Sequence, residues 1–370
     1  MSKGGIEYMS INVTKTYLPD RSKYDKYIDE IYKNGWITND GPLVKELTER
    51  LETYLGVKNL LLVANGTLAL QVAYRALGLH GEAITTPFSF VATTSSLVWE
   101  GIHPVFSDID EHTLCMDPSL IEQKITDNTT GIVPVHVFGN ACEIEDILEI
   151  ADKHQLKVVF DAAHAFGVKY KDKSILSYGD ASVLSFHATK LFHTIEGGAI
   201  VFKDREAYEK AKRLINFGIE GPEVITGLGI NCKMNEFEAA MGLCILDDIE
   251  DILKKREIVW TKYFDALSRR DLLRMAKKNI AATYNYSYFP IIFSDEELLR
   301  KAKIELEKEE IHPRRYFFPS LDTLGYLNQK VAEKCAIADS ISKSILCLPL
   351  YETLTTDDQE KICNIILNIV

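Results

Sequence analysis

Val158-Val159-Phe160-Asp161-Ala162-Ala163-His164 carries an unbroken apolar run into a carboxylate. Such a run reads as a fully buried strand, and an unpaired carboxylate at its end would be costly. Asp161 therefore needs a cation or a donor, unless it simply caps a following helix. Outward from this stretch the pattern repeats. Short apolar runs stand at 60–63, 83–85, 103–106, 131–135 and 183–186, and helical spacing at 68–77, 89–100 and 143–154 falls between several of them. Strand and helix in alternation predict an α/β domain with a large, mostly parallel sheet and helices on both faces.

The flanks extend this plan. Residues 22–34 and 42–55 have helical spacing, separated by the turn Asn39-Asp40-Gly41-Pro42. Residues 170–174 read as a hairpin tip, and 235–268 as one long helix capped by Asn235. A β-rich stretch at 284–293, a helix at 295–309, a loop at 312–325 and helices near 328–343 and 356–368 make a smaller α+β unit. The expected division is a large domain over 1–245, whose N-terminal segment packs on the small domain, and a small C-terminal domain over 246–370.

Composition narrows the classes. The 370 residues are 46% hydrophobic, enough for a sizeable core, and no apolar run approaches the ~18 residues a membrane span needs. A net charge of −12 without a basic stripe argues against nucleic acid, though a few local cations or N–H groups still suffice for a small anion. Seven widely spaced cysteines with no C-x-x-C read as reduced thiols, with neither disulfides nor a metal site, and point to the cytoplasm. The first residues lack a signal peptide's apolar core, and Met9 offers an alternative start after a short extension.

In an open α/β sheet, ligands bind beyond the carboxyl ends of the strands. Asn65-Gly66-Thr67 follows the first run and opens a helix, supplying N–H groups, a hydroxyl and a dipole suited to phosphate, or else a plain cap. Asp161 would suit a protonated pyridine nitrogen. Lys190 follows Asp161 by 29 positions in Ser185-Phe186-His187-Ala188-Thr189-Lys190; in a dry pocket it becomes an amine nucleophile, on a solvated surface it does not. No P-loop or G-x-G-x-x-G fingerprint is present, which disfavours a dehydrogenase. Phosphate turn, carboxylate and lysine in this order describe a pyridoxal phosphate enzyme of the aspartate aminotransferase type, fold type I.

The residues also carry a family resemblance. Asp161-Ala162-Ala163-His164-Ala165-Phe166-Gly167 and Ser185 through Lys190 with Glu196-Gly197-Gly198 resemble the DegT/DnrJ/EryC1/StrS nucleotide-sugar aminotransferases. So do Trp36 through Pro42, Thr86 through Thr93, Pro134 through Gly139, Gly229 through Ala240 and Arg314 through Pro319. The resemblance implies that Lys190 anchors pyridoxal 5'-phosphate covalently and Asp161 pairs with its ring nitrogen. Gly66, Thr67 and Ser185 would hold the phosphate, Phe90 would stack on the ring, and His164 would lie near a ring substituent. Taken alone, Phe90 reads rather as a core aromatic at helix spacing and His164 as a satisfied structural histidine. Asn231 would reach the phosphate of the neighbouring subunit, implying a homodimer with shared active sites. Arg314, Arg315 and Tyr316 would meet the substrate, or form a solvated basic pair. Asn65, His164, Leu191 and Phe217 stand where many relatives have Ser, Gln, Asn and His. Some relatives replace the lysine by histidine and become dehydratases; Lys190 argues against that here.

The implied reaction moves the amino group of L-glutamate to a nucleotide-linked keto sugar. Leu191 through Gly198 look more like the 4-keto than the 3-keto enzymes. The resemblance thus favours dTDP-4-keto-6-deoxyglucose as acceptor and dTDP-4-amino-4,6-dideoxyglucose as product, serving bacterial surface polysaccharide such as lipopolysaccharide O-antigen. Rivals are a 3-keto or UDP-linked sugar, or a non-catalytic regulator that keeps the fold.

Overall fold

Residues 10–327 and 334–370 are described by the structure, a computed structural model. The alternative start at Met9 and the first residues of the helix expected near 328 lie outside them. Helix α1 (Arg21–Asn34) precedes α2 (Pro42–Leu55), which has proline in its first turn and buries Leu43, Leu47, Leu51 and Leu55 on one stripe.

The large sheet has seven strands: β1 (Leu60–Val63), β2 (Glu82–Thr85), β3 (His103–Phe106), β4 (Thr129–Val133), β5 (Lys157–Asp161), β6 (Ala181–Ser185) and β7 (Gly198–Phe202). Their order is β1-β7-β6-β5-β4-β2-β3. Strands β6, β5, β4, β2 and β3 run parallel, and β7 lies antiparallel between β1 and β6. Leu60 and Leu62 of β1 join one core and Leu61 and Val63 the other, so both faces are covered. Helices α3 (Gly66–Leu77), α4 (Val91–Trp99), α5 (Ile144–His154) and α6 (Arg205–Leu214) supply much of that cover. Sequence reasoning did not anticipate β7, because Gly197-Gly198 reads as a loop. Its direction brings its N-terminal Gly198 to the edge where β1 and β6 end.

A short hairpin, β8 (Ile219–Gly221) and β9 (Val224–Ile225), leads to α7 (Glu236–Leu267), capped by Asn235 through a capping box with Glu238. The helix buries Ile249 and Ile252 in the large core and Val259, Tyr263 and Leu267 in the C-terminal one. It passes between cores after Ile252, whereas residue 245 falls mid-helix. Beyond it lie α8 (Glu296–Lys308), α9 (Ala336–Ser344) and α10 (Thr356–Leu367) around an antiparallel sheet ordered β10 (Leu273–Arg274), β11 (Phe289–Phe293), β12 (Ile345–Leu348). Only 289–293 of the stretch expected to be β-rich forms a strand; 284–288 is an aromatic strap that recrosses the large domain. Ile11–Asn12 pairs in parallel with Ile311–His312, tying the N-terminal segment to the C-terminal unit.

Helix α2 begins after Gly41 and has no side-chain cap of its own. Fully buried Glu236, at the start of α7, accepts the amides of Leu43 (2.9 Å) and Val44 (3.0 Å) instead. A Cβ on Gly41 would lie 2.5 Å from the Glu236 Cδ, so glycine is what lets the carboxylate in. Glu236→Ala would strand two amides and remove charge from a helix N-terminus. We expect a loss of about 2–4 kcal/mol, read by urea unfolding, with Glu236→Gln costing less.

Candidate active site

Strands β1, β5 and β6 end along one edge, and the turns leaving them open into one cavity of about 730 Å³. After β1, Asn65 caps α3 by accepting the Leu68 amide (2.9 Å), and Ala69 begins the helical ladder at the Asn65 carbonyl. The amides of Gly66 and Thr67, at the positive end of the helix, are left to the cavity these residues line. Ser185 ends β6 beside them, opposite Gly198 of β7. A Cβ on Gly66 would stand 2.9 Å from that of Ser185, and one on Gly198 would stand 2.7 Å from the Asn65 carbonyl carbon. Two glycines thus bring helix terminus, serine and strand into a close cradle of N–H and O–H groups.

Asp161 ends β5, buried. Thr93 of α4 donates its hydroxyl to Oδ2 (2.7 Å) and the Ala163 amide donates to Oδ1 (3.1 Å). Because the Thr93 hydrogen is committed to Asp161, its oxygen accepts from Ser89 (2.7 Å), so two hydroxyls point their hydrogens toward the carboxylate. Burial raises its proton affinity above the ordinary value; Thr93, the Ala163 amide and the Lys190 charge lower it without cancelling the burial. The carboxylate is still short of positive charge.

Lys190 lines the same cavity, half-buried at the end of a turn where its amide donates to the His187 carbonyl (2.8 Å). Loss of water lowers its pKa, and Asp161 and Tyr316 partly oppose the shift. Its Nζ donates to the Tyr288 hydroxyl at 3.4 Å. His164 is buried, near-parallel to Phe138 and Phe317, with Nδ1 accepting the Phe138 amide (3.1 Å). Its ring hydrogen is therefore on Nε2, and burial, then Lys190, holds its pKa well below the usual range. Phe90, 56% exposed at the N-terminus of α4, presents its ring at the cavity wall rather than in the core.

Arg314 and Tyr316 line this cavity and an adjoining one of about 820 Å³; Phe90 and Ser89 also lie on both. Arg315 reaches only the second. Its guanidinium pairs with Glu296 (3.2 Å), donates to the carbonyls of Ser342 and Lys343, and stacks on Phe318. Asn231 lies outside both cavities and accepts from Lys233 (2.8 Å). Sequence reasoning missed Ser89, Thr93 and Tyr288. Hydroxyls at 89 and 93, one helical turn apart, were the available signal for the first two.

These residues fit the cofactor that the resemblance implies. A helix-terminal cradle closed by glycines suits a phosphate, a buried acid short of positive charge suits a protonated ring nitrogen, and an amine of lowered proton affinity faces the same space. The model of the DegT/DnrJ/EryC1/StrS aminotransferase family matches residues 20–367. A Shigella dysenteriae protein named dTDP-4-amino-4,6-dideoxy-D-glucose transaminase is 43% identical over 364 residues, covering 97% of this chain and 99% of its own length. An Escherichia coli protein of the same name is 40% identical, with 97% and 98% covered. A crystal structure of DesI in the presence of its TDP-sugar product superimposes with a TM-score of 0.91 at 31% identity, over 96% of this chain and 92% of that one.

Thr93→Val removes one donor to Asp161 with little change of shape. Proton affinity at Asp161 should rise further, leaving less carboxylate, and the loss should deepen as pH falls. Pyridoxal phosphate affinity, titrated by absorbance, is expected to weaken about tenfold, while Thr93→Ser keeps it.

Proposed function

The chain belongs to the DegT/DnrJ/EryC1/StrS aminotransferase family, and from that premise we propose that it transfers the amino group of L-glutamate to dTDP-4-keto-6-deoxyglucose, forming dTDP-4-amino-4,6-dideoxyglucose. It is a pyridoxal phosphate-dependent sugar aminotransferase. Support for the particular sugar comes from near full-length similarity, at 40–43% identity, to two dTDP-4-amino-4,6-dideoxy-D-glucose transaminases. The observation that carries the chemistry is the meeting of Lys190, Asp161 and the Gly66-Thr67 terminus in one cavity.

When bound, the cofactor supplies an electron sink for charge released at the carbon that bears the amino group. The chain's residues do the rest. Gly66, Thr67 and Ser185 would bind the phosphate. Asp161 would hold a proton on the ring nitrogen, since a carboxylate in a dry site strongly favours a cation beside it. Lys190 Nζ would anchor the cofactor and, when free, take and return the proton at the amino-bearing carbon. Its lowered proton affinity leaves more free base near neutral pH than an exposed lysine has. His164, neutral with its hydrogen on Nε2, would donate a hydrogen bond without adding charge. Arg314 and Tyr316, where the cavities meet, would take the anionic part of the nucleotide sugar.

The working assembly in this reading is a homodimer. Phe217, Ile219, Val224, Ile225, Leu228 and Ile230 are exposed along one segment, a density of apolar surface that favours a covering partner. Asn231 ends that segment and would meet the partner's cofactor phosphate. Among the described residues, no helix is long and apolar enough to cross a membrane.

Incubation with L-glutamate and 4-keto and 3-keto sugars on dTDP and UDP, read by mass and NMR, tests the assignment. We expect preferred conversion of the dTDP-linked 4-keto sugar; faster amination at carbon 3 or of the UDP compound would reassign it. Lys190→Ala should reduce turnover by about a thousandfold or more, because anchor and base are lost together. The pH–rate profile should rise as free Lys190 loses its proton, with a midpoint below the ordinary lysine value.

A further inference from the structure

Tyr288 ends the aromatic strap before β11 and has no part in the roles assigned above. It is buried, with only 7% of its surface exposed, yet its hydroxyl reaches the cavity and meets Lys190 Nζ at 3.4 Å. Its ring packs against His164 (4.6 Å between centroids) and stands edge-on to Tyr316 (5.9 Å). The backbone leading to it is held from two sides. Buried Arg256 donates to the carbonyls of Tyr286 (3.2 Å) and Ser287 (2.8 Å). Asn285 donates to the carbonyls of His164 (2.8 Å) and Phe166 (3.0 Å), and the Ser287 hydroxyl also donates to His164. One phenol oxygen is thus fixed relative to the segment that carries Asp161 and His164, although strand and strap are more than a hundred residues apart.

A catalytic lysine that alternates between attached and free states needs a partner for its free state. Without one, a long flexible side chain samples many rotamers, and the amine is seldom beside the carbon whose proton it must move. We propose that Tyr288 is a positioning residue for Lys190: its hydroxyl holds the freed Nζ amine at the cofactor face of the cavity between proton transfers. The proposal deepens the aminotransferase reading and rests on it.

The chemistry of a phenol suits this role. Burial raises the Tyr288 pKa, so the group stays neutral over the range in which Lys190 titrates. A neutral phenol accepts from the ammonium form and donates to the free amine, so it can hold Nζ through both halves of a proton shuttle. A carboxylate there would instead bind the ammonium and withhold the base. Asp161, Tyr316 and neutral His164 are the other titratable groups coupled to Lys190, and the hydrogen bond of Nζ goes to none of them.

Tyr288→Phe keeps the ring against His164 and Tyr316 and removes only the oxygen. Two measurements on wild type and variant test the role. In protein freed of cofactor, Lys190 labelling by trinitrobenzenesulfonate is followed by peptide mass spectrometry. Loss of the phenol frees the lone pair of the amine and withdraws an acceptor from the ammonium; both effects speed labelling, by about threefold to tenfold. In the loaded enzyme, the single-turnover rate with L-glutamate should fall about tenfold with the substrate concentration for half-saturation little changed and Tm unaltered. Unchanged labelling together with an unchanged rate overturns the proposal. A lowered Tm with unchanged labelling overturns it too, by making Tyr288 a packing residue. If these changes appear while the wild type converts none of the keto sugars, the substrate assignment fails and the role of Tyr288 stands.

Discussion

A carboxylate at the end of a strand buried on both faces constrains everything around it. Asp161 cannot move to water without pulling β5 out of register between β4 and β6. It must be satisfied where it is, and the structure supplies partial satisfaction: one hydroxyl, one amide and a lysine charge across the cavity. Because burial still outweighs these, the site keeps an unspent preference for a cation. A protonated pyridine nitrogen is a cation of the right kind, flat and able to donate a single hydrogen bond. Helix α4 begins at the cavity because Thr93 must reach Asp161, and that places Phe90, at the same helix terminus, on the wall.

Much of this was legible in the chain. An apolar run ending in Asp161, a glycine turn opening a helix and a lysine beyond a strand end are local patterns, each set by a few neighbouring residues. The long helix after Asn235 was equally plain, since its capping box lies within four positions. What escaped depends on pairings distant in sequence. Strand β7 runs antiparallel because it returns from the Lys190 turn, and nothing in Gly198–Phe202 alone gives a direction. Glu236 serves a helix almost two hundred residues upstream. Tyr288 sits in a stretch of alternating tyrosines that reads as a strand, but hydrogen bonds from Asn285 and Arg256 hold it as a strap. Arg315 and Arg314 are indistinguishable as a pair in sequence; Glu296 on α8 and the Ser342 and Lys343 carbonyls occupy the Arg315 guanidinium, whereas Arg314 lines both cavities.

The antiparallel strand also shapes the cradle proposed for a phosphate. Here the N-terminal residue of β7 lies between the ends of β1 and β6, in register with Val63 of one and Ser185 of the other. That residue is Gly198, and its missing side chain leaves room for the Asn65 turn. Helix terminus and serine face each other across a strand end that offers backbone alone.

The electrostatics are local for the same reason. A chain of net charge −12 has no general attraction for a phosphorylated cofactor or a nucleoside diphosphate. Exposed charges are screened over about 8 Å at physiological salt, so distant acids weigh little inside a walled cavity. What an anion meets there is the positive end of α3, the Lys190 amine and Arg314, which has no carboxylate partner among the described residues. Lys190 and Asp161 also offset each other: the acid raises the proton affinity of the amine, the amine lowers that of the acid, and burial pushes each the other way. A positive ring nitrogen beside Asp161 would consume the field that now supports the ammonium, so filling the acid's side of the cavity frees the base on the other. In the proposed reading, the buried carboxylate thereby couples cofactor binding to the availability of the Lys190 amine.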